Sequence, residues 1–235
     1  MTDSDLGSES VASAATVRSD RWRTAATPAE IAARGPIGAR VVQLRELSES
    51  DPERAQGEAW EWFNMLGATQ DSESLNELFT LGVAKPMTGP TDGILLSFVN
   101  PVFHNVAMPF VGPGRPLQPW KGKTFESDSQ TGANRFKAWF PPIARVVWPG
   151  YRGHRKDGGE HLLFDMETGD IPDPFDQSHT IWKIDYQELP DSPWLLRNCL
   201  DTLVEIVPDA HLGRLYVSRG GRYVMALYFA LRPAA

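Results

Sequence analysis

LGRLYVSRGGRYVMALYFALR, residues 212–232, is the stretch that decides the fold. Two runs rich in apolar and β-branched residues, 212–218 and 223–232, flank Arg219-Gly220-Gly221-Arg222. Glycine at both central positions supplies the positive φ that a tight hairpin turn needs, so the segment reads as two antiparallel strands. Side chains alternate along a strand, which puts Tyr223, Met225, Leu227, Phe229 and Leu231 on one face. Val224, Ala226, Tyr228 and Ala230 fall on the other. Both faces are apolar, as suits a strand covered on one side and lining a cavity on the other.

Working back from the hairpin, residues 93–99, 121–127, 161–167, 180–186 and 201–207 read as further short strands between turn residues. No regular helices intervene, which argues for an antiparallel sandwich or closed barrel over residues 86–235. Phe136 to Tyr151 (FKAWFPPIARVVWPGY) is unusually aromatic. Pro141-Pro142 can open a short helix there with Ile143, Val146 and Val147 on one face, either closing one end of the barrel or forming a mobile flap.

The N-terminal third has a different texture. Residues 1–20 carry almost no large apolar groups and are expected to be a disordered tail. Residues 21–85 read as a helical segment packing on the barrel as a plug or lid. Thr27-Pro28-Ala29-Glu30 signals a short helix ending near Gly35-Pro36. Ser50-Asp51-Pro52-Glu53 opens the clearest helix, capped by Ser50 or by Asp51, with Ala55, Ala59, Trp62, Phe63 and Leu66 at helical spacing. Another starts near Asp71 or Ser72 and presents Leu75, Leu78 and Phe79.

Composition narrows the partners. A net charge of −7 with no basic stripe speaks against nucleic acid and against anionic lipid. No apolar stretch is long enough to span a membrane, and no basic-then-apolar leader opens the chain, so a cytoplasmic location is expected. The single cysteine, Cys199, excludes an internal disulfide and a thiolate metal cluster, and reads as a small buried hydrophobe.

Catalytic signatures are scarce. There is no GxxxxGK[ST], no GxGxxG after a strand and no GxSxG. Gly112-Pro113-Gly114 reads as a turn, because its proline removes an amide that a phosphate would need. His104, His154, His161, His179 and His211 form no HxH or HxxxH pair, so neither metal nor other cofactor is expected. Asp173, Asp176 and His179 fall close together but lack calcium-loop spacing, and read as a solvated acidic loop.

What remains is polar residues inside apolar strands. Asp185, Glu205, Arg214, Tyr216 and Tyr228 would make a small-molecule site if they face inward. Glu205 and Arg214 are otherwise exposed cross-strand charges, and strand register decides between the two.

Four stretches carry a resemblance: Pro119-Trp120-Lys121-Gly122-Lys123-Thr124-Phe125, Asp185-Tyr186, residues 201–214 beginning Asp201-Thr202-Leu203-Val204-Glu205-Ile206-Val207-Pro208, and Tyr228-Phe229-Ala230-Leu231. Over residues 75–232 the chain resembles a group of uncharacterised actinobacterial-type proteins with W-x-G-K-x-F and D-x-L-V-x-I-x-P elements. More loosely it is similar to the lipocalin-like GXWXG proteins. It departs from the first group at Asp209, where glycine is usual, and at His211, where tyrosine is usual. The resemblance implies a mainly β fold, an antiparallel calycin/lipocalin-like barrel, and brings no established activity. It also implies that Trp120 plugs one end of the barrel with an arginine, Arg214 or Arg232, stacked on it, unless Trp120 is simply core.

The leading expectation is a carrier or sensor that encloses a small hydrophobic ligand, a lipid or aromatic metabolite, against Trp120, Asp185, Glu205, Arg214, Tyr216 and Tyr228. A cofactor-independent isomerase or cyclase would use the same chamber, with Glu205, Asp185 or Tyr228 as its acid or base. An interaction module would use the Trp60/Trp62 helix or the aromatic flap. A haem protein would use His104 or His211 as axial ligand.

Overall fold

A computed structural model of the chain describes residues 26–99, 118–126, 131–147, 154–155, 161–174, 176, 179–186 and 196–235. The expectations for residues 1–20, for His104 and for Gly112-Pro113-Gly114 lie outside them.

Four helices come first: α1 (Pro28–Ala32), α2 (Pro36–Ser50), α3 (Pro52–Ala68) and α4 (Ser72–Thr80). Their starts follow from local chemistry. Thr27 and Glu30 form a reciprocal capping box at α1. Asp51 caps α3 by accepting from the Arg54 amide, with Pro52 in the first turn, and Asp71 accepts from the Ser74 amide at α4. Asp51, not Ser50, is therefore the cap. α1 ends ahead of Gly35-Pro36 as the sequence indicates, but α2, which starts at Pro36, is not among the expected helices. Gly35 sits at φ 106 and turns the chain between two helices, and Pro36 begins the second. α2 buries only Gly38, Val41 and Leu44, too narrow a stripe to stand out as periodicity.

The strands are β1 (Gly89–Phe98), β2 (Trp120–Phe125), β3 (Thr131–Phe136), β4 (His154–Arg155), β5 (His161–Pro172), β6 (Thr180–Asp185), β7 (Cys199–Val207), β8 (Ala210–Arg219) and β9 (Arg222–Pro233). Helix α5 (Phe140–Val147) follows β3. β1 pairs with both β2 and β9, and β3 pairs with β5, so every strand except β4 has at least two neighbours, β5 having three, and the antiparallel sheet curls into a barrel. Register shifts at Leu95/Ser97, Trp120/Gly122, Ala133/Asn134 and Glu205/Val207 supply the bending that closure demands. β3 had not been expected: TGANRF offers one large apolar side chain, and its central residues are buried for polar contacts instead.

Two apolar clusters lie on opposite faces of the wall. Inside, Phe125, Trp182, Ile184, Leu203, Phe229 and Leu231 form one cluster, with Leu95, Leu215 and Leu227 against it. Outside, Leu96, Val204, Ile206, Leu212, Tyr228 and Ala230 pack against Leu44, Phe63, Leu75, Leu78 and Phe79 from the helices. The helices clad the outer face of β1, β7 and β8 and do not plug an end. Arg45 stitches this layer down, donating through Nε to the Ile206 carbonyl at 2.9 Å and through Nη2 to that of Leu81 at 2.7 Å. A register shift opposite Leu215/Tyr216 divides β9, so Met225 joins the outer cluster while Leu227, Phe229 and Leu231 face in. Strict alternation had put all four on one face. Among the described residues, no helix is long and apolar enough to cross a membrane.

Candidate functional site

Among the described residues, a polar network stands in the barrel interior where β2, β3 and β7 face one another. On β2 the Trp120/Gly122 shift brings Trp120 and Lys123 into the same chamber. Trp120 packs its six-membered ring against Gly93, where an added Cβ would come within 2.6 Å of the ring. Its edge meets Phe229 at 5.7 Å and 90°. Phe229 is in turn seated on Gly213, where a Cβ would sit 2.3 Å from the ring. The two glycines let both rings reach the centre.

Lys123 Nζ donates to Asn134 Oδ1 at 2.9 Å, to Tyr186 Oη at 2.6 Å and to Asp201 Oδ2 at 2.7 Å. These use all three ammonium donors. Tyr186 Oη donates to Asp201 Oδ2 at 2.8 Å and accepts from Asn134 Nδ2 at 3.2 Å, while Trp120 Nε1 donates to Asn134 Oδ1 at 3.0 Å. Both Lys123 and Asp201 side chains are only 2% exposed. The rings of Trp120, Tyr186 and Phe229 lie 5.3 to 5.7 Å from Nζ and add cation–π attraction. Burial pulls the Lys123 pKa below its usual value, opposed by the Asp201 carboxylate. Burial, reinforced by Asp201, holds the Tyr186 phenol well above its ordinary range. Burial likewise pushes the neighbouring Cys199 thiol up to about 12. Asp201 Oδ1 is buried and accepts no hydrogen bond among the described residues.

Beside this network is a partly open cavity of about 170 Å³, walled by Leu95, Trp120, Phe136, Leu215, Leu227 and Phe229. Lys123, Asn134, Tyr186 and Asp201 form its polar floor. Phe136 stacks on Phe140 of α5 at 4.5 Å, which ties that helix to the interior cluster. Ile143 and Val146 of the same helix are exposed, Val146 by 79%.

Of the six residues expected to line the chamber, Trp120 does so. Arg214, Tyr216 and Tyr228 sit on the outer face, in the seam beneath the helices. There Arg214 Nη2 donates to Asn76 Oδ1 at 2.7 Å, Nη1 lies 3.5 Å from Asp173 Oδ2, and the guanidinium covers the Phe79 ring at 3.8 Å. Asp173 is therefore a buried partner of the seam and not part of a solvated loop. Glu205 is fully buried away from the cavity, accepting from Lys85 Nζ at 2.7 Å and from the Asp209 amide at 2.9 Å; burial raises its pKa. Asp185 lies on the opposite side of β6 from Trp182 and Ile184, beside Lys183 at 3.4 Å. For Arg214, Tyr216 and Tyr228 the cause is register, since the helices cover the face read from the sequence as cavity wall. Glu205 shares strand parity with Leu203 but is held by Lys85 and the Asp209 amide away from the cavity. Nor does an arginine stack on Trp120, since Arg232 lies over Trp60 at 4.6 Å and Arg214 over Phe79. Lys123 is the cation beside Trp120.

Lys123, Tyr186 and Asp201 stand in the stretches that carry the resemblance, but neither they nor Asn134 are among the site residues expected from the sequence, although a signal exists. Asp201 shares strand parity with Leu203, and Lys123 stands inside W-x-G-K-x-F. His211 is buried, with Nε2 3.2 Å from the Lys85 carbonyl, and burial together with Lys85 lowers its pKa to about 3. Among the described residues, no three His, Cys, Asp or Glu side chains are grouped to hold a metal ion.

No family model matches the chain, and no curated protein is significantly similar to it. Among solved structures, a protein from Thermomonospora curvata is similar at 14% identity and a TM-score of 0.43. The match covers 76% of this chain and 99% of that one. It assigns neither a family nor an activity.

Proposed function

We propose that the barrel binds a small, mainly apolar molecule in its interior, as a carrier or sensor. The observation that supports this reading is an apolar cavity with a fixed polar floor, the usual make-up of a small-molecule site. A cavity near 150 Å³ admits a benzene-sized molecule, which sets the scale of the ligand. The Lys123–Asp201 pair adds weight, because a buried ion pair is often no more stabilising than well-packed apolar residues of the same volume. An eight-stranded barrel of lipocalin kind is wide enough to enclose one small ligand.

Native mass spectrometry of the purified protein, set against its denatured mass, tests the reading. A discrete excess mass that leaves on denaturation is the expected result. A bare polypeptide mass, together with no thermal stabilisation by benzene or toluene, would remove it.

Cofactor-independent catalysis is the second reading. It is favoured only by the lowered amine of Lys123 beside Tyr186 and Asp201. These would take the acid–base roles in place of Glu205, Asp185 and Tyr228, none of which lines the cavity. Turnover of the captured ligand decides it.

A further inference from the structure

We infer that the ligand is a neutral monocyclic aromatic molecule carrying a hydrogen-bond donor, a hydroxyl or an uncharged N–H, which it gives to Asp201 at the cavity floor. This rests on the ligand-binding reading above. It adds to it the charge and polarity of the head group.

The floor's hydrogen-bond inventory leads there. Lys123 spends its three donors on Asn134, Tyr186 and Asp201. Tyr186 has a single proton and gives it to Asp201. Trp120 has a single N–H and gives it to Asn134. Asn134 Nδ2 gives an N–H to Tyr186. An acceptor aimed at Lys123, Tyr186 or Trp120 would therefore have to break an existing bond. The acceptor side has room: Oδ2 of Asp201 takes two donors while Oδ1, also buried, takes none among the described residues. A buried carboxylate oxygen without a donor is costly, and a ligand that supplies one recovers that cost. The terminal torsion of aspartate is soft, so the carboxyl group can turn Oδ1 to meet the ligand.

Charge and shape narrow the class further. Lys123 and Asp201 are paired at 2.7 Å, so the floor presents one positive and one negative group whose net charge is zero. A charged head group would leave its own charge uncompensated in an apolar chamber, which disfavours both carboxylates and ammonium ions. Trp120, Phe136 and Phe229 supply aromatic walls, and the 170 Å³ volume limits the body to about one ring.

Isothermal titration of the full-length protein with toluene, anisole, phenol, benzoate and benzylammonium tests the inference directly. Phenol is expected to bind about tenfold to a hundredfold more tightly than toluene or anisole, the worth of one donor to a buried acceptor. Benzoate and benzylammonium are expected to bind more weakly than phenol. Leu227→Phe, which fills the cavity with an apolar group, should abolish phenol binding while the protein stays folded by circular dichroism. Equal affinities for toluene, anisole and phenol would overturn the donor assignment and leave the ligand-binding reading standing. Tightest binding by benzoate or by benzylammonium would overturn the neutral-donor class. Phenol binding that survives Leu227→Phe unchanged would place the site elsewhere and overturn the inference. No binding by any of the five would take both readings down together.

Discussion

The same wall of the barrel buries a cation–carboxylate pair on each of its faces, and the two surroundings differ. Inside, Lys123 meets Asp201 with Tyr186 and Asn134, next to open volume. Outside, Arg214 meets Asp173 and Asn76 with Phe79 and Tyr228, beneath the helical layer. The outer pair ties elements distant in sequence: β8, the chain after β5, and α4. Holding the helices to the barrel accounts for it. The inner pair joins strands already held by the closed sheet, so stapling does not explain it. Equal burial with unequal surroundings separates a structural polar cluster from a candidate site.

The most severe way to break the comparison is to remove one cation from each face. Lys123→Met and Arg214→Met should each cost about 3–5 kcal/mol, because a buried carboxylate loses its cation. Urea unfolding reads the loss. At temperatures where both variants remain folded, Arg214→Met should keep phenol binding and Lys123→Met should lose it. Equal loss of binding would erase the distinction between the two faces.

Gly213→Ala sharpens the comparison from within one strand. Gly213 adjoins Arg214, but its missing side chain makes room for the Phe229 ring inside. Overpacking there should cost about 1–3 kcal/mol and reduce ligand affinity, leaving the outer seam untouched. Unchanged affinity would mean that Phe229 does not shape the cavity.

Acid provides a milder probe. His211 has its pKa depressed from 6.5 to about 3, chiefly by burial and then by Lys85. Between those values the unfolded chain takes up a proton that the folded chain refuses. Stability present at neutral pH therefore falls as pH drops through this window, by at most about 1.4 kcal/mol per pH unit. His211→Gln should flatten that slope in urea titrations at several pH values. An unaltered slope would assign the acid sensitivity to other groups.

The gentlest probe is chemical. Cys199 belongs to the interior cluster, is buried, and has its thiol pushed to about 12. It should resist iodoacetamide in the native state and react fully in urea. Rapid native alkylation would show that the interior opens readily.

Much of the architecture was legible because its signals are local. The Gly220-Gly221 turn, the Asp51-Pro52 cap and the Leu75, Leu78, Phe79 stripe each act within a few residues, and each occurs where expected. The site was not legible in the same way, because parity along a strand does not say which face becomes the interior. Tyr228 and Phe229 are adjacent and both buried, yet one meets the helices and the other the cavity. The helical layer is legible over residues 21–85, but which strand face it covers is set by packing between segments far apart in sequence. Lys123 and Asp201 were concealed by their own chemistry, since a charged residue on a strand is normally assigned to solvent. Only closure of the barrel brings the W-x-G-K-x-F and D-x-L-V elements together at one floor.

A crystal structure of the protein grown with phenol tests the central claim most directly. Expected is a planar ligand between Trp120, Leu227 and Phe229, its hydroxyl within hydrogen-bond distance of Asp201 Oδ1 and the carboxyl group turned from its unliganded position. An interior filled by the protein's own side chains, with no ligand density at saturating phenol, would contradict it.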